Sequence, residues 1–228
     1  MANISDATVQ ISAVKCGSEL LEYIKLAQDN AYYNIVGRSG ELDVKEDGDT
    51  WTIEGSASGR WSYQHNASRY FPHPDNLEDL RHWVGKEKAD EVEVSYRKLL
   101  DVIANNGGSV HISYGESESG ALICGSGEVA LIGRIDGKNS SQPFVEYSET
   151  YEALEYNAEN VSSVHEADEY YDCAKCESVV CEIDKCAICR DLVCEDCEMY
   201  SCKGCNASIC ESCTITDSLM GNYCKSCH

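Results

Sequence analysis

The sequence predicts an α+β protein in two parts: a split-sheet α+β domain, then a small Cys-rich domain with little regular secondary structure. Three observations predict this. Strand-like alternation and helix-like stripes succeed one another over residues 1–138. Thirteen of the fifteen cysteines fall between Cys173 and Cys227. Between the two regions, residues 139–172 hold nine acids and no Lys or Arg.

Along the chain, ATVQISAV (7–14) alternates Val9, Ile11 and Ala13, the pattern of a half-buried strand. SELLEYIKLAQ (18–28) puts Leu20, Ile24 and Ala27 on one helical stripe, with Ser18 as the expected N-cap. AYYNIVG reads as a short strand. Residues 40–64 read as a meander broken at Asp47-Gly48 and at Gly55, with Trp51 and Ile53 on one face. NLEDLRHWV (76–84) is a short helix capped by Asn76. In DEVEVSYRKLLDVIANN (90–106), Val92, Tyr96, Leu99, Leu100 and Ile103 share a helical face, and Asn105-Asn106-Gly107-Gly108 ends the helix. SVHISYG then alternates Val110, Ile112 and Tyr114. Two further short strands are expected near 120–124 and 128–135, separated by turns at Gly125-Ser126-Gly127. In 139–172, Glu146, Glu149, Glu152 and Glu155 recur every third residue, and Tyr147, Tyr151 and Leu154 suit a narrow helical stripe. That reads as an exposed connecting helix or an acidic linker, with docking of a basic partner as its functional alternative. The expected domains are therefore 1–138, an acidic connector over 139–172, and a Cys-rich module over 173–228.

A βαβ-type split sheet of the ferredoxin-like kind is the simplest arrangement of the first domain. GRWSYQHN (59–66) and SYGESESGALICGSGEV (113–129) resemble ferredoxin-like domains of plasmid and phage proteins of unassigned function.

The cysteines supply the chemistry. Cys173/Cys176, Cys186/Cys189, Cys194/Cys197, Cys202/Cys205, Cys210/Cys213 and Cys224/Cys227 form six Cys-x2-Cys pairs, with Cys181 left over. Four successive pairs, from Cys186 to Cys210, start at an eight-residue period. Two thiols three positions apart converge on one ion when the chain turns tightly, and two such pairs complete a tetrahedron. Six pairs predict three four-cysteine sites and three Zn²⁺ per chain. The four-residue spacers make it hard for neighbouring pairs to close on one ion, so the sites are expected to interleave. The expected partners are Cys173/Cys176 with Cys194/Cys197, and Cys186/Cys189 with either Cys202/Cys205 or Cys210/Cys213. Cys224/Cys227 closes the last site. Cys181 reads as a spare thiol, Asp184 as a decayed ligand and His228 as an exposed terminal residue. Cys16 and Cys124 read as buried unpaired thiols. Iron–sulfur runs use shorter spacers and a following Pro, and no Pro lies beyond Pro143.

CAICRDLVCEDC (186–197) and CKGCNASICESC (202–213) resemble the centre of cross-braced, treble-clef zinc modules of the FYVE and PHD-like kind, with Val193 and Ile209 at the apolar position before the third cysteine. The resemblance implies zinc-stapled folding. It does not extend to lipid or ubiquitin chemistry. The basic Arg-His-His stretch of FYVE domains and the Cys-x-His-x2-Cys core of RING domains are both missing.

Charge narrows the function. The formal net charge is -22; residues 1–172 contribute 13 basic and 31 acidic side chains, and residues 173–228 contribute 5 and 9. Such a surface repels phosphate backbones and anionic lipid. No stretch approaches the roughly 20 apolar residues of a membrane span, and the N-terminal residues show no export signal. A cytoplasmic location is expected, where dense cysteine pairs signify metal and not disulfides. Phosphate-binding loops, nucleophile elbows and His-Glu-x-x-His motifs are lacking, and all-Cys sites leave no open coordination position. His65 and His73 flank Arg69 in a segment read as a surface loop.

The expectation is a non-catalytic protein–protein interaction protein, an inhibitor or sequestering partner of a basic or nucleic-acid-handling protein. An accessory protein of a phage or other mobile element fits that sign. One alternative is a zinc-ribbon-like nucleic-acid or transcription factor, for which Lys175, Lys185, Arg190, Lys203 and Lys225 are the available cations. The other is an enzyme whose pocket gathers Arg60, Trp61 and His65, with the zinc module as adaptor.

Overall fold

In a computed structural model, residues 4–31, 34–37, 42–60, 62–84, 86–135, 142–165, 169–217 and 221–227 are described. The chain divides into two units, Met1–Glu155 and Tyr156–His228.

The first unit is a six-stranded sheet with helices on one face. Its elements are β1 (Ile4–Val14), α1 (Gly17–Asn30), β2 (Asp43–Asp47), β3 (Thr50–Arg60), α2 (Tyr63–Tyr70), α3 (Glu78–Trp83), α4 (Ala89–Asn106), β4 (Ser109–Glu118), β5 (Ile123–Ile135) and β6 (Pro143–Leu154). The strand order is β2-β3-β1-β4-β5-β6, and every pairing is antiparallel. The α+β class is as expected. The split βαβ arrangement is formed: β3 lies between β1 and β2, and β1 lies between β3 and β4, so each helix-linked pair is parallel and is split by a strand antiparallel to both, with β5 and β6 added beyond β4. After α1 the β2–β3 hairpin lays β3 antiparallel beside β1, and α2–α4 then carry the chain to the other side of β1.

Alternation explains the core. Ala7, Val9, Ile11 and Ala13 of β1 are buried, while Asp6, Thr8 and Gln10 are exposed. The register aligns Ile53, Ile11, Ile112 and Val129 across four strands. Leu20, Tyr23, Ile24 and Ala27 of α1 and Val92, Tyr96, Leu99 and Ile103 of α4 complete this core. Each large buried side chain contributes about 1.5–3 kcal/mol.

Several sequence readings are corrected. The N-cap position of α1 is Cys16, and the Ser18 hydroxyl donates to Glu19 instead. AYYNIVG is not a strand over its described residues: Ala31 makes an isolated bridge to Val84, and residues 35–37 bend. Tyr32 and Tyr33 lie outside the described residues. Leu77, not Asn76, holds the N-cap position of α3. Helix α2 was not foreseen; Ser62 caps it by accepting from His65 N. Gly55 does not break β3, because the backbone at Gly37 passes where a Cβ would stand, with N 2.8 Å away.

The two short strands expected around Gly125 and Gly127 are one continuous strand, β5. Those glycines are bare floor beneath Tyr151 and Tyr114, whose hydroxyls occupy the space a Cβ would need. Residues 143–154, read as part of a connector, are strand β6, paired with β5 from Pro143 to Leu154.

The second unit opens with α5 (Ala158–Val164), capped by Asn157 accepting from Asn160 N at 2.9 Å. Four hairpins follow: β7 (Tyr171–Asp172) with β8 (Val179–Val180), β9 (Ile183–Lys185) with β10 (Leu192–Cys194), β11 (Met199–Ser201) with β12 (Ser208–Cys210), and β13 (Thr214–Asp217) with β14 (Gly221–Cys224). Its buried cluster consists of Val193, Ile209 and seven cysteines.

Candidate metal centre

Three hairpins end in the same six-residue loop: CAKCES (173–178), CAICRD (186–191) and CKGCNA (202–207). In each, the first Cys N–H donates to the sixth residue's carbonyl at 2.9 Å. The fifth residue's N–H returns to the first Cys carbonyl, at 2.9, 3.0 and 2.7 Å. That fifth residue, Glu177, Arg190 or Asn206, has a positive φ of 60°, 72° or 62°. The left-handed turn brings both thiols of the loop to one side.

Each loop then docks on the return strand of the next hairpin. Ala174 N donates to Leu192 O at 2.8 Å, Ala187 N to Ser208 O at 2.9 Å, and Lys203 N to Asn222 O at 2.9 Å. Two residues beyond each of those carbonyls stands the first cysteine of the second pair. Its N–H donates to the first loop sulfur: Cys194 to Cys173 at 3.4 Å, Cys210 to Cys186 at 3.4 Å, and Cys224 to Cys202 at 3.2 Å.

The result is three tetrads, Cys173/Cys176/Cys194/Cys197, Cys186/Cys189/Cys210/Cys213 and Cys202/Cys205/Cys224/Cys227, each with its sulfurs within 4.8 Å of one another. The Sγ separations Cys173–Cys197, Cys176–Cys194, Cys189–Cys210 and Cys205–Cys224 are 3.8, 3.7, 3.6 and 3.9 Å. Four sulfurs about 2.3 Å from a central ion stand about 3.8 Å apart in a tetrahedron. A disulfide needs about 2.05 Å. Each tetrad could therefore hold one metal ion, and an all-thiolate tetrahedral donor set is consistent with zinc.

The eight-residue period follows from this geometry. A hairpin's tip pair and return pair lie eight residues apart and belong to different tetrads. The return pair closes on the tip of the preceding hairpin.

Electrostatics favours a cation. Burial works to raise Cys173, but the N–H groups of Cys194, Cys176 and Lys175 outweigh it and hold the thiol down at about 6. Cys186 is likewise held at about 6 by Cys210, Cys189 and Ile188 against its burial. Cys202 is at about 6, chiefly through Cys224 N–H. Burial, then the neighbouring sulfurs, push Cys197 up to about 12. Contacts with Cys224 and Cys205 push Cys227 up to about 12. A cation bound among four sulfurs removes that mutual repulsion and displaces the remaining protons.

The other singled-out residues do not join a site. Cys181 is exposed and Asp184 sits on β9 opposite Val193. His228 lies outside the described residues. Cys16 and Cys124 are buried, and burial first pushes Cys16 up to about 11. His65 is exposed on the first turn of α2, with Nδ1 2.8 Å from Ser62 Oγ. His73 stacks edge-on against Tyr147. The side chains of Arg60 and Trp61 lie outside the described residues. In the depression beside α3 and α4, Arg81 and Arg97 both engage Glu93, at 2.7 and 2.8 Å.

Sequence reasoning missed a buried acidic pair, Glu116 and Glu118. They continue the inward parity of Val110, Ile112 and Tyr114 on β4, so the alternation carried the signal. A Glu116 oxygen accepts the Tyr63 N–H that opens α2. Among the described residues, neither Glu118 oxygen has a hydrogen-bond partner.

No protein-family model, curated protein or solved structure matches the chain, so no match confirms FYVE or PHD-like families for the metal module or ferredoxin-like domains for the first unit. No helix among the described residues is long and apolar enough to cross a membrane.

Proposed function

We propose that the chain is a non-catalytic, zinc-organised protein–protein interaction protein that inhibits or sequesters a basic or nucleic-acid-handling protein. One observation carries the metal part: all four donors of every tetrad are cysteines at tetrahedral spacing. Such sites are closed and structural, with no position for a catalytic water. Their role is to stiffen short hairpins into a surface. The excess of acidic side chains, 40 against 18 basic, supports a cationic protein partner over nucleic acid or anionic lipid.

Native mass spectrometry on protein purified without added metal is expected to show three zinc ions per chain. Iron with sulfide, or disulfides without metal, would overturn the zinc assignment. For the partner, the chain is expected to release a labelled DNA duplex from a purified basic DNA-binding protein, with no binding of its own to the duplex. Salt-dependent capture of the duplex by the chain itself would establish the nucleic-acid reading instead.

A further inference from the structure

Strand β6 is the outer strand of the six-stranded sheet, and it is long. Its twelve residues (Pro143–Leu154) pair with β5 on one side. Among the described residues no strand pairs on the other, and no backbone hydrogen bond reaches β6 except that ladder. Edge strands are ordinarily blunted by shortness, bulges or charge. The opposite edge, β2, is five residues long and carries Lys45 in an ion pair with Glu54. Strand β6 has only charge, and all of one sign: Glu146, Glu149 and Glu152.

A period of three on a strand that alternates every two has a particular effect. Glu146 and Glu152 project to one face of the sheet and Glu149 to the other. Carboxylates therefore flank the open edge on both sides. Glu146 has Arg134 as an exposed partner at 2.7 Å, and Glu149 accepts from Tyr147. Val145, Tyr147 and Tyr151 pack inward on the core and fix the strand, while Glu146, Ser148, Glu149, Thr150 and Glu152 are exposed.

We infer that the β6 edge is a docking site for an extended, basic polypeptide segment, which adds to the sheet as a seventh strand. Backbone hydrogen bonds supply sequence-independent affinity, and opposed charges select the partner. Lys or Arg at every third position would place cations on alternate faces and meet all three glutamates. A second copy of this chain is a poor occupant, since two β6 edges would oppose carboxylate to carboxylate. The inference deepens the proposed function by naming the partner's chemistry. It stands on the first unit alone and so fails separately from the zinc assignment.

The test uses the full zinc-loaded chain and a nine-residue Val/Thr peptide with Lys at every third position. Its control carries backbone N-methyl groups at alternate residues, which remove one row of hydrogen bonds and leave the charge intact. Binding by the parent peptide, about tenfold or more weakened in the control, with slowed amide exchange over 143–154, would support strand addition. The combined Glu146→Gln, Glu149→Gln and Glu152→Gln variant should lose about tenfold in affinity for the parent peptide at an unchanged melting temperature. Equal binding of both peptides would reduce the edge to diffuse charge attraction and overturn the inference. So would no binding of either, or a concentration-dependent dimer that protects 143–154. Metal content measured on the same sample keeps loss of zinc apart from loss of the edge.

Discussion

The two units bury different materials. In the first, the core is aliphatic and aromatic: Ile11, Ile53, Leu99, Ile103 and Ile112 interlock with Tyr23, Tyr63, Tyr70 and Tyr96. In the second, the cluster around the tetrads buries seven cysteines with Val193 and Ile209, and α5 adds only Val161 and Val164. Four buried aliphatic side chains stabilise by about 1.5–3 kcal/mol each, little for a unit of this length. A structural zinc site contributes about 10–16 kcal/mol to folding at neutral pH. The first unit is thus held by chain packing, whereas the proposed zinc ions would hold the second. The sharpest break of that comparison is chelation. Excess chelator should abolish slow amide exchange across residues 171–217 while leaving β1, β4 and α4 protected. Acid should act in the same direction on the second unit, since protons compete with the ion for thiolates. Survival of both units without metal would refute the division.

Interleaving sharpens the comparison within the second unit. The tetrad of Cys186 overlaps in sequence with both others: the span 186–213 contains Cys194/Cys197 of the first site and Cys202/Cys205 of the third. The outer two spans, 173–197 and 202–227, do not overlap. Cys186→Ser should therefore lower stoichiometry from three ions to one or none. Cys176→Ser and Cys227→Ser should each leave two. Native mass spectrometry reads both. Loss of one ion in all three variants would show that the tetrads fold independently.

Legibility in the sequence divided along the same line. The tetrads could be anticipated because thiol spacing and coordination geometry are both local. A pair three residues apart has few ways to meet an ion, and the eight-residue period excludes neighbours. The choice between Cys202/Cys205 and Cys210/Cys213 as partners of Cys186/Cys189 stayed open. It is decided by which return strand the Ala187 N–H meets, which is a tertiary contact. In the first unit the hydrophobic stripes of α1, α4, β1 and β4 were legible for the same local reason. Strand β6 was not, because acids every third residue with Tyr147, Tyr151 and Leu154 mimic a helical stripe. The strand is set by its ladder to β5, a pairing no local pattern encodes.

The glycines of β5 misled in a related way. Gly-Ser-Gly reads as a turn, yet Gly125 and Gly127 are required by rings on neighbouring strands. This yields a test: Gly127→Ala should destabilise the first unit by about 1–3 kcal/mol through overpacking. A new Cβ would stand 2.7 Å from Thr150 O and against the Tyr114 hydroxyl. Thermal melts should show the loss, with zinc content unchanged. A neutral Gly127→Ala would return the segment to a turn.

The smallest effect concerns Glu118, which is 3 % exposed, with both oxygens unpartnered among the described residues. Burial raises its pKa above the unfolded value. The folded state then holds the proton more tightly than the unfolded chain does. Glu118 costs nothing below the unfolded pKa of about 4.3, and its penalty grows as pH rises through the folded value. Glu118→Gln should therefore leave stability unchanged near pH 4 and raise the first unit's melting temperature by a few degrees, about 2–4 °C, at neutral pH. Glu116, also raised by its burial, keeps part of the slope in that variant. Its oxygen anchors the Tyr63 N–H, so Glu116→Gln should gain less or lose. The sign is opposite to that of the metal unit. Acid relieves the buried carboxyls of the first unit and, on the proposed zinc reading, would strip zinc from the second, so the melting order of the two units in the zinc-loaded chain should separate further as pH falls. Parallel pH dependence of both transitions would mean that Glu118 has a counter-charge when folded.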